Sequence, residues 1–250
     1  MSVPDGWAEL VPGFFRLCVA DVNCYLVRTS DGMTLFDAGL PRTRTVLGEL
    51  LTHFGAQRSD IDAVVLTHGH FDHVGTARAL QREGASVIVH PRDVRLARHP
   101  YRYRPASPRL GYVLGHPRGI PTIARMAAAG ALTVRGVEAQ PRVAHGRSID
   151  APGTPIALWT PGHTDGHCAY FFASEGVLIL GDALVTLDPY TGEEGPQIVA
   201  NAATAVPDEA LASLTTLAAT EARVALPGHG AAVRDGIGPA VAQALRRGAH

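Results

Sequence analysis

Apolar positions fall in short blocks whose spacing alternates between two residues and about 3.6 along the chain. Residues 11–19, 22–27 and 33–36 are β-rich runs parted by Ala20-Asp21 and by Ser30-Asp31-Gly32, and they predict three strands. After Leu40-Pro41 the apolar residues Val46, Leu47, Leu50, Leu51 and Phe54 recur at helical spacing. Residues 61–66 are almost wholly apolar, as expected of a strand covered on both faces, and they run into Thr67-His68-Gly69-His70. A helix is predicted over 72–83 and a strand over 86–89. Further strands are expected at 156–159, 168–172, 177–180 and 224–226, with helices near 208–219 and 238–247. Strand, loop and helix alternate in the manner of an α/β layered domain.

Residues 91–150 break this rhythm. They hold seven prolines and one apolar helical patch, at 120–131. The expected organisation is one domain over 1–250, with residues 91–150 forming a partly helical insertion or cap. Charge sharpens the contrast. All 22 basic residues are arginine, and 11 of them fall between Arg92 and Arg147 beside only two acids, Asp93 and Glu138. The remainder of the chain is correspondingly acidic.

Composition excludes several classes. At 46% hydrophobic and 18% charged residues, the 250-residue chain has the material for a large core and is not a disordered one. Its apolar runs are too short to cross a bilayer. No basic start followed by an apolar block opens the sequence. Cys18, Cys24 and Cys168 form no CxxC and cannot all pair, so a disulfide scaffold is excluded and a cytosolic address is expected.

Candidate chemistry gathers where apolar strands stop. His68-Gly69-His70-Phe71-Asp72-His73 places four ligand-type side chains in six residues, and Gly69 permits the tight loop on which they can converge. Imidazole nitrogen and carboxylate oxygen are donors that zinc, iron or manganese accept. Three other strand ends repeat the arrangement: Pro161-Gly162-His163, Gly181-Asp182 and Pro227-Gly228-His229. His53, His90, His99, His116, His145 and His250 lack that context and read as surface or structural residues. Cys168 reads as a packed core residue, with a Cys/His nucleophile as the less favoured alternative.

Taken together, Asp37, the hexapeptide, His163, Asp182 and His229 resemble, in order, the pattern of the metallo-β-lactamase fold superfamily, and especially its glyoxalase II-like hydrolases. The resemblance spans residues 11–229. It implies an αββα sandwich of two mixed sheets with helices outside and metals at one edge. It further implies two divalent ions, zinc first with iron or manganese as alternatives. His68, His70 and His163 would hold one, and Asp72, His73 and His229 the other, with Asp182 bridging. Asp37 and His167 would support the ligands from behind, and Asp72 could relay a proton. A hydroxide shared by the two ions would attack the substrate.

The implied activity is hydrolysis of an ester, thioester or lactone. Alternatives within the family are an iron-dependent persulfide dioxygenase and a phosphodiesterase. A non-enzymatic metal-binding module is opposed by the complete ligand set. Only 21 residues follow His229, short of the helical extension with which glyoxalase II enzymes bind glutathione. The expected partner is a small molecule, with an anionic one suggested by the arginine-rich segment, rather than nucleic acid or membrane. Arg102, Arg104 and Arg109 are the first candidates to receive it, because the guanidinium fork binds carboxylate or phosphate at two points.

Overall fold

The computed structural model describes residues 2–250, apart from the side chain of Leu110. Seven strands form the first sheet in chain order: β1 (Gly6–Val11), β2 (Phe14–Val19), β3 (Val22–Thr29), β4 (Gly32–Phe36), β5 (Ala63–Val65), β6 (Ser86–Val89) and β7 (Gln140–Pro141). The first four pair antiparallel and the last four parallel. A second sheet has the order β13-β10-β9-β8, formed by β8 (Ile156–Trp159), β9 (Cys168–Phe172), β10 (Val177–Gly181) and β13 (Val224–Pro227). A hairpin of β11 (Val185–Leu187) and β12 (Glu194–Gln197) stands apart. Helices α1 (Thr43–Phe54) and α2 (Ala77–Arg82) follow β4 and β5, while α6 (Pro207–Ala218) and α7 (Ile237–Arg247) flank β13 in sequence. Among the described residues no helix is long and apolar enough to cross a membrane.

The period of two in the strands sets the layers. In β4, Phe36 enters the core between the sheets, while Met33 and Leu35 enter the core beneath α1 and α2. In β10, Val177 and Ile179 face the intersheet core, and Leu178 and Leu180 face α6 and α7. Alternate residues thus supply three apolar layers, helix on sheet, sheet on sheet and sheet on helix, which is the expected αββα sandwich. Phe36, Tyr170 and Phe172 join the sheets, with ring centroids 5.3 and 5.5 Å apart.

Two expected elements are altered. The run 11–19 is not one strand: Pro12-Gly13 turns the chain between β1 and β2, and Gly13 takes the left-handed backbone, φ 81°, that this turn requires. The helix expected over 72–83 begins only at Ala77. Residues ahead of it are held as turns because Ala38 N–H donates to His73 O (2.7 Å) and Gly75 N–H to Gly39 O (2.8 Å). A helix from Asp72 would have satisfied those groups internally; tertiary pairing wins instead.

Residues 91–150 form α3 (Val94–Arg98), α4 (Arg109–Gly115) and α5 (Ile120–Ala128), and then β7. Ala97, Met126, Val134 and Val137 join the helix-side core, whereas Val143 and Ile149 join the core between the sheets.

Strand direction places the chemistry. β4 and β5 are parallel, as are β10 and β13, and β8 runs with them because two antiparallel pairings separate β8 from β10. At the shared end the sheets are tied by Cys168 N–H to Thr67 O (2.8 Å) and by Tyr170 O–H to Leu66 O (2.8 Å). The segments after β4, β5, β8, β10 and β13 therefore emerge on one edge.

Candidate metal centre

Those five segments carry Asp37, the His68–His73 loop, His163, Asp182 and His229, and the fold brings all of them together. The donor atoms of His68, His70 and His163 form one close group, and those of Asp72, His73 and His229 form another. Asp182 stands between them. Its carboxylate oxygens lie 3.5 Å from His73 Nε2, 3.5 Å from His163 Nε2 and 3.4 Å from His229 Nε2. A third overlapping group contains His68, His73 and Asp182. All seven side chains are buried.

Each ring except His70 is fixed from behind by an oxygen. Asp37 Oδ2 accepts from His73 Nδ1 (2.8 Å) and from the Thr67 hydroxyl (2.8 Å), while Oδ1 accepts from Thr67 N–H (2.8 Å). Thr67 has thereby spent its only hydroxyl proton, so His68 Nδ1–H donates to Thr67 Oγ1 (3.0 Å). By the same logic Thr204 donates to Val199 O, and His163 Nδ1–H donates to Thr204 Oγ1 (3.3 Å). His229 Nδ1–H donates to Asp21 O (3.0 Å). Four rings therefore turn Nε2 inward as the donor atom, the arrangement that outer partners impose on metal-ligating histidines. His70 is set differently: its Nδ1 faces His163 Nε2 at 3.0 Å, and its ring lies against Tyr103 with centroids 3.8 Å apart.

His167 lies behind the cluster. Its Nε2 accepts from Asp182 N–H (3.0 Å) and its Nδ1–H donates to Thr160 Oγ1 (2.8 Å), so it holds the backbone of Asp182.

Asp93 escaped the reading of the sequence, where it was only one acid among arginines. Its carboxylate accepts from Gly69 N–H (2.9 Å), Gly166 N–H (2.9 Å) and the Thr164 hydroxyl (2.8 Å), clamping the His68–His73 loop to the loop carrying His163 and His167. No local motif marks it, because its partners, two backbone N–H groups and one hydroxyl, lie 24 to 73 positions away in sequence. Gly228 has a comparable role: a Cβ there would collide with Asp182 Oδ1 and crowd the His73 ring.

The electrostatics fit a cation. Burial drives His68, His70 and His163 toward the neutral form, His163 to a pKa of about 4. Burial opposes the charge of His73 and His229 too, but Asp182 heads the acids that outweigh it and hold both up, His229 to about 10. Burial would likewise favour neutral Asp182, but His229 and His73 hold its carboxyl well below the ordinary range. His68 Nε2, His70 Nε2, His73 Nε2 and Asp182 Oδ1 are buried without a hydrogen-bond partner. Orphaned donor atoms of these types, around a carboxylate that needs positive charge, suit divalent zinc, iron or manganese.

Beside the cluster is a cavity of about 10 Å3 lined by Asp72, Asp182, His229 and the rings of Tyr103 and Tyr190. That is about the room one water needs. Tyr190 reaches it from the turn between β11 and β12, which Asp188 fixes by accepting from the backbone N–H of Tyr190 and Thr191 (2.7 and 3.0 Å). This hairpin was absent from the elements expected from the sequence, although Asp188-Pro189-Tyr190-Thr191-Gly192 carries a turn signal between apolar runs.

Of the three candidate arginines, Arg102 and Arg104 are exposed and line neither this cavity nor its neighbour. Arg109 is half-buried, its guanidinium 4.1 Å from the Tyr103 ring centroid. Cys168 is buried, and burial raises its thiol pKa, contrary to the needs of a nucleophile.

A layered sandwich with a histidine and aspartate cluster at its strand-end edge defines a class of metal-dependent hydrolases. The chain belongs to the metallo-beta-lactamase superfamily, whose family model matches residues 19–229. It is similar to the probable metallo-hydrolase YqjP of Bacillus subtilis (strain 168), at 30% identity over 92% of this chain and 73% of that protein. YobT of the same organism is 30% identical over 65% of this chain, and the match spans 61% of that relative's length. An N-acyl homoserine lactonase of Bacillus thuringiensis is 25% identical over 74% of this chain and 70% of its own. Among solved structures, a metallo-beta-lactamase family protein of Thermus thermophilus matches with a TM-score of 0.70 and 26% identity, covering 96% of this chain and 80% of that one. TTHA1623, solved in a di-iron-bound form, matches with a TM-score of 0.62 and 25% identity over 88% of this chain and 92% of its own.

Proposed function

We propose that this protein is a binuclear metal-dependent hydrolase that cleaves an ester, thioester or lactone. The observation that carries the reading is Asp182, whose carboxylate lies within 3.5 Å of a nitrogen from each of the two donor groups. His68, His70 and His163 would hold one ion and Asp72, His73 and His229 the other, with Asp182 shared. Zinc is the first expectation, and the di-iron form of TTHA1623 supports iron as the alternative. When bound, two such ions acidify a water and polarise a carbonyl oxygen.

The chain's own groups do the rest. Asp182 supplies negative charge that neutral imidazoles cannot, and Asp37 holds the His73 ring at Nδ1. Asp72 lines the small cavity, where its carboxylate can take up the proton a water loses and return it to the leaving group. Tyr103 and Tyr190 limit water around the reacting centre. No covalent intermediate is required, which agrees with the buried thiol of Cys168. A cytosolic setting accords with three buried, unpaired cysteines.

Metal analysis of the purified protein, paired with a screen of lactone, ester, thioester, phosphodiester and persulfide substrates, tests the reading. Two ions per chain with C–O or C–S hydrolysis is the expected result. A single iron with oxygen consumption would replace it with a persulfide dioxygenase, and turnover of phosphodiesters alone would also overturn it.

A further inference from the structure

Phe71, Pro189 and Tyr190 form a partition. On one side is the small cavity beside Asp72 and Asp182, and on the other a second cavity of about 410 Å3 lined by the same three residues. Its size falls within the range of about 300–1,000 Å3 usual for small-molecule sites. The far walls come from α4 and α5, with Val113, Ile123, Met126 and Ala127 facing it, and from Leu132 beyond α5. A larger, more open depression runs along α1, and Arg58 and Glu83 in its lining already pair with each other at 3.0 Å.

The 410 Å3 cavity has one charged lining residue, Arg109, and no acid among its described lining residues. The guanidinium stacks over Tyr103, which in turn lies on the His70 ring. The guanidinium carbon is 4.1 Å from that ring's centroid, and Nε and Nη2 are buried without a hydrogen-bond partner. An arginine cannot shed its charge, so unpaired N–H groups in an apolar wall call for an acceptor from a ligand. Nε and Nη2 together are the side of the fork that can grip a carboxylate at two points, and a small shift of the side chain is needed to open them to the cavity.

We infer that this cavity receives the body of the substrate, and that the substrate is an amphipathic acyl compound. Its apolar chain or ring lies against Ile123, Met126 and Ala127, and its carboxylate pairs with Arg109, the one charged residue of the lining. The reactive carbonyl then faces the partition of Phe71, Pro189 and Tyr190, on whose far side Asp72 and Asp182 line the small cavity, so that reaction requires these three residues to move aside. The reaction rests on the hydrolase reading, but the binding does not.

Calorimetric binding of decanoate, decanol and butyrate to the purified full chain separates the two. Decanoate should bind more tightly than butyrate. Arg109→Met should weaken decanoate by about tenfold or more, as expected for loss of a charge-assisted pair, while leaving decanol unchanged and so reporting an intact fold. Arg109→Lys should fall between. Ala127→Trp, which fills the cavity from a half-buried position on α5, should weaken decanoate and decanol alike. Asp182→Asn, which depletes metal, should leave decanoate binding in place. Equal decanoate affinity in wild type and Arg109→Met would overturn the proposal, as would loss of binding in Asp182→Asn alone, which would locate the carboxylate on the metals. If binding behaves as expected but no ester, thioester or lactone is hydrolysed, the hydrolase reading fails and the binding site stands.

Discussion

The five strand ends at the sandwich edge and the arginine-rich segment 91–150 meet at the same site but are built on different principles. At the strand ends, every metal-ligand candidate is buried, and His68, His73, His163, His229 and Asp182 have an oxygen partner or a backbone anchor behind them. In the segment, Arg102 and Arg104 are exposed, Arg98 is spent on Glu138 at 2.6 Å, and Arg92 lies over Trp159. A few of its residues nevertheless reach the centre: Asp93 clamps two ligand loops, Tyr103 covers His70, and Arg125 pairs with Asp21, whose carbonyl holds His229. The strand ends therefore carry the candidate donors, while the segment supplies restraint and one wall of the larger cavity.

The strongest way to break this comparison is at Asp182. Asp182→Asn removes the charge between the donor groups and should empty both positions, with turnover falling by more than the roughly 10–100-fold that loss of an outer partner costs. His163→Ala should chiefly empty the position it shares with His68 and His70. Two ions and normal turnover in Asp182→Asn would refute the bridging role.

Asp93 tests whether the segment truly restrains the centre. Asp93→Ala leaves the Gly69 and Gly166 N–H groups unpaired, and metal affinity measured by competition with a chelator should fall about 10–100-fold. Wild-type affinity would return Asp93 to the ordinary surface chemistry of its neighbours.

A smaller effect concerns protons. In the metal-free protein, against burial, Asp182 and Asp72 hold a proton on His229 up to about 10, and the acids around His73 push it in the same direction. A cation must displace these protons, so binding should release about one or more per chain at pH 7, and apparent affinity should rise with pH through the neutral range. Calorimetry in two buffers of different ionisation enthalpy reads this directly. Binding without proton release would contradict the charge balance around Asp182.

Cys168→Ala should leave turnover within about threefold of wild type, since a buried thiol with a raised pKa is no nucleophile. A trapped adduct on Cys168 would reverse that. The smallest change is expected from Arg102→Ala and Arg104→Ala, exposed positions where stability should move by no more than about 0.5 kcal/mol and the Michaelis constant little. A large rise in that constant for anionic substrates alone would restore the segment as a charged funnel.

The amino-acid sequence by itself marked the strands and the candidate donors at their ends. Unbroken apolar runs ending in His, Asp or Pro-Gly-His are local patterns that mark strands and their edges, whereas packing decided that Val177 and Ile179 face the other sheet and Leu178 and Leu180 the helices. Position after a strand was enough to single out His68, His70, Asp72, His73, His163, Asp182 and His229. Only the tertiary structure decided which outer atom holds each ring, why α2 starts at Ala77, and that Asp93 and Tyr190 belong to the centre. Those outcomes depend on pairing between segments up to about two hundred residues apart, such as His229 with Asp21 across 208 positions. A hydrogen bond between backbone and a distant side chain imposes no spacing on the sequence. The choice among Arg102, Arg104 and Arg109 had the same character, because composition records how much charge a segment carries but not which guanidinium is turned inward against an aromatic ring.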